Sequence, residues 1–205
     1  VAQAMRAIKS GEGDLFIAGG VEGMSRGPYV ISKAESGFAT DQKMYDSSFG
    51  WRFVNPEMEK TYGVEAMGKT AENLAEIYKI TRKEQDEFAL NSQMKATKAQ
   101  ESGRLAEEIS AIQIPQRKGE PILVNKDEFI KPNSSLEILG KLKPAFVKEN
   151  GTVTAGNASG LNDGAAAMII ASGDAVKNYG LKPLAKIVCS AVVGVEPRIM
   201  GIGPV

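Results

Sequence analysis

The sequence predicts an α/β fold in which a helical, partly solvated subdomain is inserted between two core strands. Three observations predict it. Residues 15–18 (Leu-Phe-Ile-Ala) and 165–171 (Ala-Ala-Ala-Met-Ile-Ile-Ala) are short runs with no polar side chain, as strands inside a core are. Residues 1–9 place Val1, Ala4, Met5 and Ile8 at helical spacing ahead of the first run, so helix, turn and strand read as half of a βαβ unit. Between the two runs, residues 26–150 hold most of the charge and most of the aromatic side chains, a composition that suits a solvated insertion.

In chain order, the first helix ends at Ser10-Gly11-Glu12-Gly13, with glycine at the C-terminal place. After the first strand, Gly19-Gly20 reads either as a phosphate cradle or as a tight turn. Without a G-x-G-x-x-G opening a helix, the turn is favoured. Residues 32–58 lack a clean period and hold Phe49, Trp51 and Phe53, which are read as pinning a loop to a core rather than facing a ligand. Thr70 is the expected N-cap of a helix over 71–79, whose stripe is Ala71, Leu74, Ala75 and Tyr78.

Thr81 with Glu84 forms a capping box for the next helix, which runs to Ser102 and stops at Gly103. Its stripe of Phe88, Ala89, Ser92, Gln93, Ala96 and Ala99 is mostly small, so a closely packed neighbour is expected. Residues 109–114 alternate as a strand, Arg117-Lys118-Gly119 is a basic turn, and 122–124 form a second short strand. Lys118, Lys126 and Lys131 suit either phosphate binding or solvated surface. Residues 173–180 make a short polar helix or turn. Residues 183–195, with Ile187, Val188, Ala191, Val192 and Val193, are predicted as a long buried strand. Cys189 falls inside it as a small core residue, because no base, cation or helix N-terminus adjoins it in sequence.

Residues 151–172, GTVTAGNASGLNDGAAAMIIAS, read as a site with a scaffold. Thr152, Val153 and Thr154 suit a strand end. Residues 156–160 (Gly-Asn-Ala-Ser-Gly) form a turn of very small side chains, open to close approach of a ligand to backbone N–H groups and the Ser159 hydroxyl. Residues 161–164 are expected as a short helical turn, and 165–171 as a strand buried on both faces. A plain glycine-rich connection between core strands explains the same spacing.

TVTAGNASGLNDGAAA at 152–167 resembles the signature of the thiolase family, enzymes that make or break a carbon–carbon bond between acyl-CoA units. AGGVEGMSRGPYV at 18–30, SFGWRFVNPEM at 48–58, YGVEAMGKTAEN at 62–73 and LKPAF at 142–146 follow in thiolase order, so the resemblance covers essentially the whole chain. Within the family it is similar to acetyl-CoA acyltransferases and 3-ketoacyl-CoA thiolases, above all the degradative β-ketoadipyl-CoA type. The resemblance implies a layered αβα core with an inserted helical CoA-binding loop subdomain. Residues 1–25 would belong to the N-terminal half, 26–150 to the insertion, 151–173 to the return, and 174–205 to the start of the C-terminal half.

The resemblance also implies site residues. Ala158, Ser159 and Gly160 would bond the pantetheine amides, Phe146 and Met67 would form apolar walls, and Lys131 would bring charge near the CoA phosphates. Lys131 aligns with an arginine of better-known members, so charge is kept and planar stacking on adenine is lost. Met67 sits where the family often has His-x-M or a similar pair lining the acyl pocket, but this chain reads Ala66-Met67 with no histidine, a departure that suits a wider pocket for a polar-ended acyl chain. On physics alone, Phe146 and Met67 fit a core equally well.

A thiolase needs a nucleophilic cysteine, a histidine that activates it and a second cysteine that moves the α-proton. This chain has no histidine and one cysteine. It is therefore expected to be an internal segment without a catalytic residue and without thiolase activity of its own, its parent being a ping-pong acyltransferase of fatty-acid or aromatic-compound degradation. Coenzyme A is expected as a substrate, with no permanent cofactor and no metal, and a homodimer or homotetramer as the parent assembly. A net charge of zero removes the electrostatic case for nucleic acid or an anionic membrane surface. One cysteine suits a reducing, cytoplasmic setting. A non-catalytic acyl-CoA or lipid-carrier module on the same scaffold is the rival reading, and a condensing enzyme of fatty-acid or polyketide synthesis a third.

Overall fold

In the computed structural model, which describes residues 1–205, the chain divides into two units. One comprises Val1–Phe53 with Leu161–Gly194, and the other Val54–Gly160 with Val195–Val205.

The first unit begins with α1 (Ala2–Ser10), which buries Met5 and ends at Gly11 in the left-handed conformation. Next, β1 (Leu15–Glu22) pairs antiparallel with β6 (Gly164–Ala171), Leu15 opposite Ala171 and Glu22 opposite Gly164. The chain re-enters at the Glu22 end of β1 and β6 runs back against it, while α1 and β1 supply the helix and strand read from the sequence. Helix α1 packs on both strands, and Ala18 is buried. The opposite face carries Ile17, Val21 and Ile169, which are 79%, 81% and 58% exposed. So β6 is a strand as expected, but it is not buried on both faces. An apolar run reports strand propensity, whereas burial needs a second layer, and none covers this face.

Residues 161–163, expected as a helical turn, are irregular and lead straight into β6. Asp163 fastens them: its carboxylate accepts the Ser25 N–H at 2.9 Å and the Ser25 hydroxyl, tying a 3-10 turn (Met24–Arg26) to the start of β6. Strands β2 (Tyr29–Ile31) and β3 (Met44–Asp46) form a hairpin, and Phe53 meets Tyr45 edge-on at 5.4 Å. Phe53 thus has an edge contact with a second ring, yet Phe49, Trp51 and Phe53 are all exposed, so none is sunk in a core.

Ser172 caps α6 (Gly173–Asn178). The long strand expected over 183–195 does not form. Leu184, Val188 and Val192 are exposed, and Cys189 is exposed rather than a core residue. An extended segment becomes a strand only by pairing its backbone groups, and no partner strand adjoins this one.

The second unit is mainly helical. Asn55 caps α2 (Pro56–Tyr62), with Pro56 at the first position where its missing N–H costs nothing. Helix α3 (Met67–Tyr78) starts at Met67 rather than residue 71. Thr70 therefore lies inside it, its hydroxyl donating to the Met67 carbonyl at 2.7 Å, and Ala66 is the N-cap. Helix α4 (Arg82–Glu101) opens with the expected capping box, Thr81 and Glu84 satisfying each other's backbone N–H. Its inward face is Gln85, Asp86, Ala89, Gln93 and Ala96, whereas Phe88 is 79% exposed. Strands β4 (Ile112–Ile114) and β5 (Ile122–Val124) form a hairpin, and Ser135 caps α5 (Leu136–Gly140). A 3-10 turn (Pro197–Ile202) packs on α3.

Candidate functional site

The six residues expected to meet CoA all lie in the second unit, in two groups. In the first, Gly160 presents its bare Cα to the Phe129 ring, and any Cβ at 160 would collide with that ring. The Lys131 ammonium stands 5.8 Å from the centroid of the same ring, a cation–π distance. Phe129 thus joins the loop of Ala158, Ser159 and Gly160 to the cation. Ser159 is exposed, as is Lys131. The Lys131 backbone is held by its N–H donating to Gln93 Oε1 of α4 at 2.8 Å and by the Ser134 hydroxyl donating to its carbonyl at 2.7 Å.

In the second group, the Phe146 ring lies against Gly68 at the start of α3, where a Cβ would collide with it. Met67, the neighbouring residue, is 74% exposed, so it is not a core methionine; Phe146 is 40% exposed, only partly sunk. Both apolar side chains are thus open to solvent beside the start of α3.

What holds the 152–160 loop was not among the expected residues. Glu72 of α3 is buried, and its carboxylate accepts the Thr152 N–H at 2.9 and 3.0 Å, the Thr152 hydroxyl at 2.7 Å and the Val153 N–H at 2.8 Å. Gln85 of α4 donates to the Thr152 hydroxyl oxygen at 2.8 Å. Asn157 then closes the turn, its Oδ1 accepting the Thr154 N–H at 2.8 Å while its Nδ2 donates to the Thr152 carbonyl at 2.9 Å. The same Nδ2 donates to Asp86 Oδ1 at 3.0 Å. Asp86 is buried and paired through its other oxygen with Arg82 at 2.8 Å, and Arg82 donates to the carbonyls of Leu139 and Leu142 at 2.6 and 3.1 Å. One polar chain therefore runs from α5 through α4 and the loop to α3.

Sequence reasoning missed this chain because Glu72, Gln85 and Asp86 look like solvated helix positions. The one available signal was Arg82 and Asp86 at i, i+4 with no second partner in sequence view.

Two open clefts are lined by other residues, one in each unit. One, of about 400 Å³, is lined by Glu22, Met24, Arg26, Pro28 and Ser48 among others; the second, of about 330 Å³, by Glu59, Tyr62, Glu65, Glu196 and Arg198 among others. No group of three or more histidine, cysteine or carboxylate side chains is arranged to hold a metal ion. No helix is long and apolar enough to cross a membrane.

Comparison with known proteins adds a third line. Residues 1–174 match the thiolase N-terminal domain family. A β-ketoadipyl-CoA thiolase of Acinetobacter baylyi is 54% identical over 204 residues, covering 100% of this chain and 51% of that protein. A 3-oxoadipyl-CoA/3-oxo-5,6-dehydrosuberyl-CoA thiolase of Escherichia coli is 54% identical over 202 residues, covering 98% and 50%. Among solved structures, an acetyl-CoA acetyltransferase from Syntrophomonas wolfei superposes with a TM-score of 0.85 at 41% identity, over 98% of this chain and 49% of that one. A human mitochondrial 3-ketoacyl-CoA thiolase in complex with CoA gives a TM-score of 0.81 at 38% identity, over 98% and 48%. The chain spans about half the length of the curated relatives it matches.

Proposed function

The chain belongs to the thiolase family, and from that premise we propose that it is the part of a thiolase that holds the CoA thioester. The parent reaction is thiolysis of a 3-ketoacyl-CoA by CoA, run reversibly. A cysteine thiolate adds to the 3-keto carbon, the C2–C3 bond breaks, and acetyl-CoA leaves once C2 takes a proton. The thiol of a second CoA then receives the acyl group from the cysteine. Hydrogen-bond donors around the thioester oxygen stabilise its developing charge.

The observation that carries this reading is the Gly160–Phe129–Lys131 contact, which sets a cation, an aromatic ring and an exposed hydroxyl loop side by side. A nucleotide with phosphates, attached to a thin amide-bearing arm, suits such a surface. Lys131 would meet phosphate charge. Ser159 with the backbone of Ala158 and Gly160 would bond the pantetheine amides, and Phe146 with Met67 would line its apolar length. The relatives' names favour a 3-ketoacyl chain ending in a carboxylate. The chemistry itself falls to none of these residues: the chain holds no histidine, and Cys189 is exposed with no base assigned to it. We place the parent enzyme in the cytoplasm, as a homodimer or homotetramer.

Calorimetric titration with CoA, dephospho-CoA and pantetheine tests the reading. The expected order is CoA tightest and pantetheine weakest, with Lys131→Ala weakening CoA and leaving pantetheine unchanged. No heat with any of the three would overturn it.

A further inference from the structure

We propose that Glu72 is a positioning residue for the CoA-binding loop, holding Ser159 in place through Thr152, Val153 and Asn157 without touching the ligand. This rests on the reading of that loop as a CoA site. A buried carboxylate is costly unless its oxygens are filled, and Glu72 fills both with donors from a single stretch of backbone. Three donors (two N–H groups and one hydroxyl) converge on it.

Such an arrangement fixes a segment in two ways. The donors' directions set where Thr152 and Val153 lie, and the low local dielectric makes each bond harder to exchange for water. From there the geometry passes along the chain by short links. Asn157 bonds the carbonyl of Thr152, five residues back, and the Thr154 N–H, closing a turn whose exit is Ala158 and Ser159. Asp86 holds the amide of Asn157 from the far side, and Arg82 holds Asp86. The loop that presents Ser159 is thus clamped at its entry by α3 and at its turn by α4, while Ser159 itself stays exposed.

Glutamine is the discriminating substitution. It has the volume of glutamate, yet its NH₂ group would face a donor where Glu72 offers an oxygen. At least one of the three donors must then lose its partner.

The test is CoA titration of the 205-residue chain as wild type, Glu72→Gln and Glu137→Gln, with thermal melts and hydrogen exchange of the Thr152 and Val153 amides. Glu137 serves as the control because it is exposed and pairs only with Lys141, the residue just past its own helix. In Glu72→Gln, at a temperature where circular dichroism shows it folded, the CoA dissociation constant is expected to rise about tenfold or more, the scale of a lost hydrogen bond to a charged group. Exchange of the two amides should quicken while the rest of α3 stays protected, and Glu137→Gln should match wild type in every readout.

A folded Glu72→Gln chain that binds CoA within twofold of wild type overturns the positioning role, whatever happens to its melting temperature. Wild-type chain that binds no CoA overturns the functional reading and this inference with it. If Glu72→Gln does not fold, Asp86→Asn carries the same test from the other side of the turn, with the same outcome required.

Discussion

Two carboxylates, one in each unit, do the same mechanical work under opposite conditions. Asp163 grips Ser25 through its backbone and its hydroxyl at an exposed site. Glu72 grips Thr152 through its backbone and its hydroxyl, adds Val153, and is buried. Both use a charge-assisted fork to bring distant stretches of sequence together. The difference lies in what each loses on failing. Water replaces the partners of Asp163 at little cost, whereas around Glu72 a broken bond strands a polar group away from water. The lesson is that burial, not the number of hydrogen bonds, decides how firmly a carboxylate sets its surroundings.

The comparison can be broken at several points. Glu72→Gln should destabilise the second unit by about 2–3 kcal/mol, the cost of an unpaired donor beside a lost charged bond, measured by urea denaturation. Asn157→Ala removes three bonds at the turn but leaves a smaller buried remnant, so about 1–2 kcal/mol is expected from the same experiment. Thr81→Ala removes the α4 cap and should cost about 1 kcal/mol, read as a lowered melting temperature. The exposed pair of Glu137 and Lys141 marks the floor: Glu137→Gln should shift stability by less than about 0.5 kcal/mol.

Asp163 gives the comparison a pH arm. The Ser25 hydroxyl, and after it the Ser25 N–H, hold its carboxyl below the ordinary value of 3.8. A carboxyl with a depressed folded value contributes stability that is complete above the unfolded value and fades as pH falls through the folded one. The loss in the first unit should therefore begin near pH 3.8 and proceed downward, and Asp163→Asn should flatten that part of the profile. Glu84, lowered by its bonds with Thr81, adds a parallel decline in the second unit, which Glu84→Gln would remove. Denaturation midpoints between neutral pH and pH 2.5 check both. An Asp163→Asn chain with an unaltered acid limb would show that this clamp adds nothing to stability.

Local signals in the sequence were reliable where their cause is local. The Thr81–Glu84 box and the glycine stop after α1 depend on neighbours within a turn or two, and both appear as read. The strand read at residues 15–18 forms but runs on to Glu22, so Gly19-Gly20, read as a tight turn, pairs inside it with Ala167 and Ala166. The family signature at 152–167 gave the fold class, which the superpositions bear out. Failures came where a residue's fate is set at long range. Residues 183–195 have strand-like composition, but a strand is a property of a pair. The Ala-rich run at 165–171 forms its strand yet lies open, because burial depends on a layer that composition does not describe. Glu72 is the sharpest case. On a helical wheel it is an ordinary solvated glutamate, and only the fold brings Thr152, 80 residues on, to its oxygens.

Helix α3 carries Gly68, which receives the Phe146 ring, and Glu72, which grips Thr152, four residues apart on one face. The helix is therefore a ruler. The apolar wall and the polar loop are spaced by about 6 Å along its axis, one turn and a little more. Deleting or inserting a single residue between them would swing one feature about 100° away from the other while leaving every local preference intact. The tolerance of this segment is thus set first by rotation: the number of residues between positions 68 and 72 cannot change, and of the three only Ala71 is exposed, Thr70 being buried.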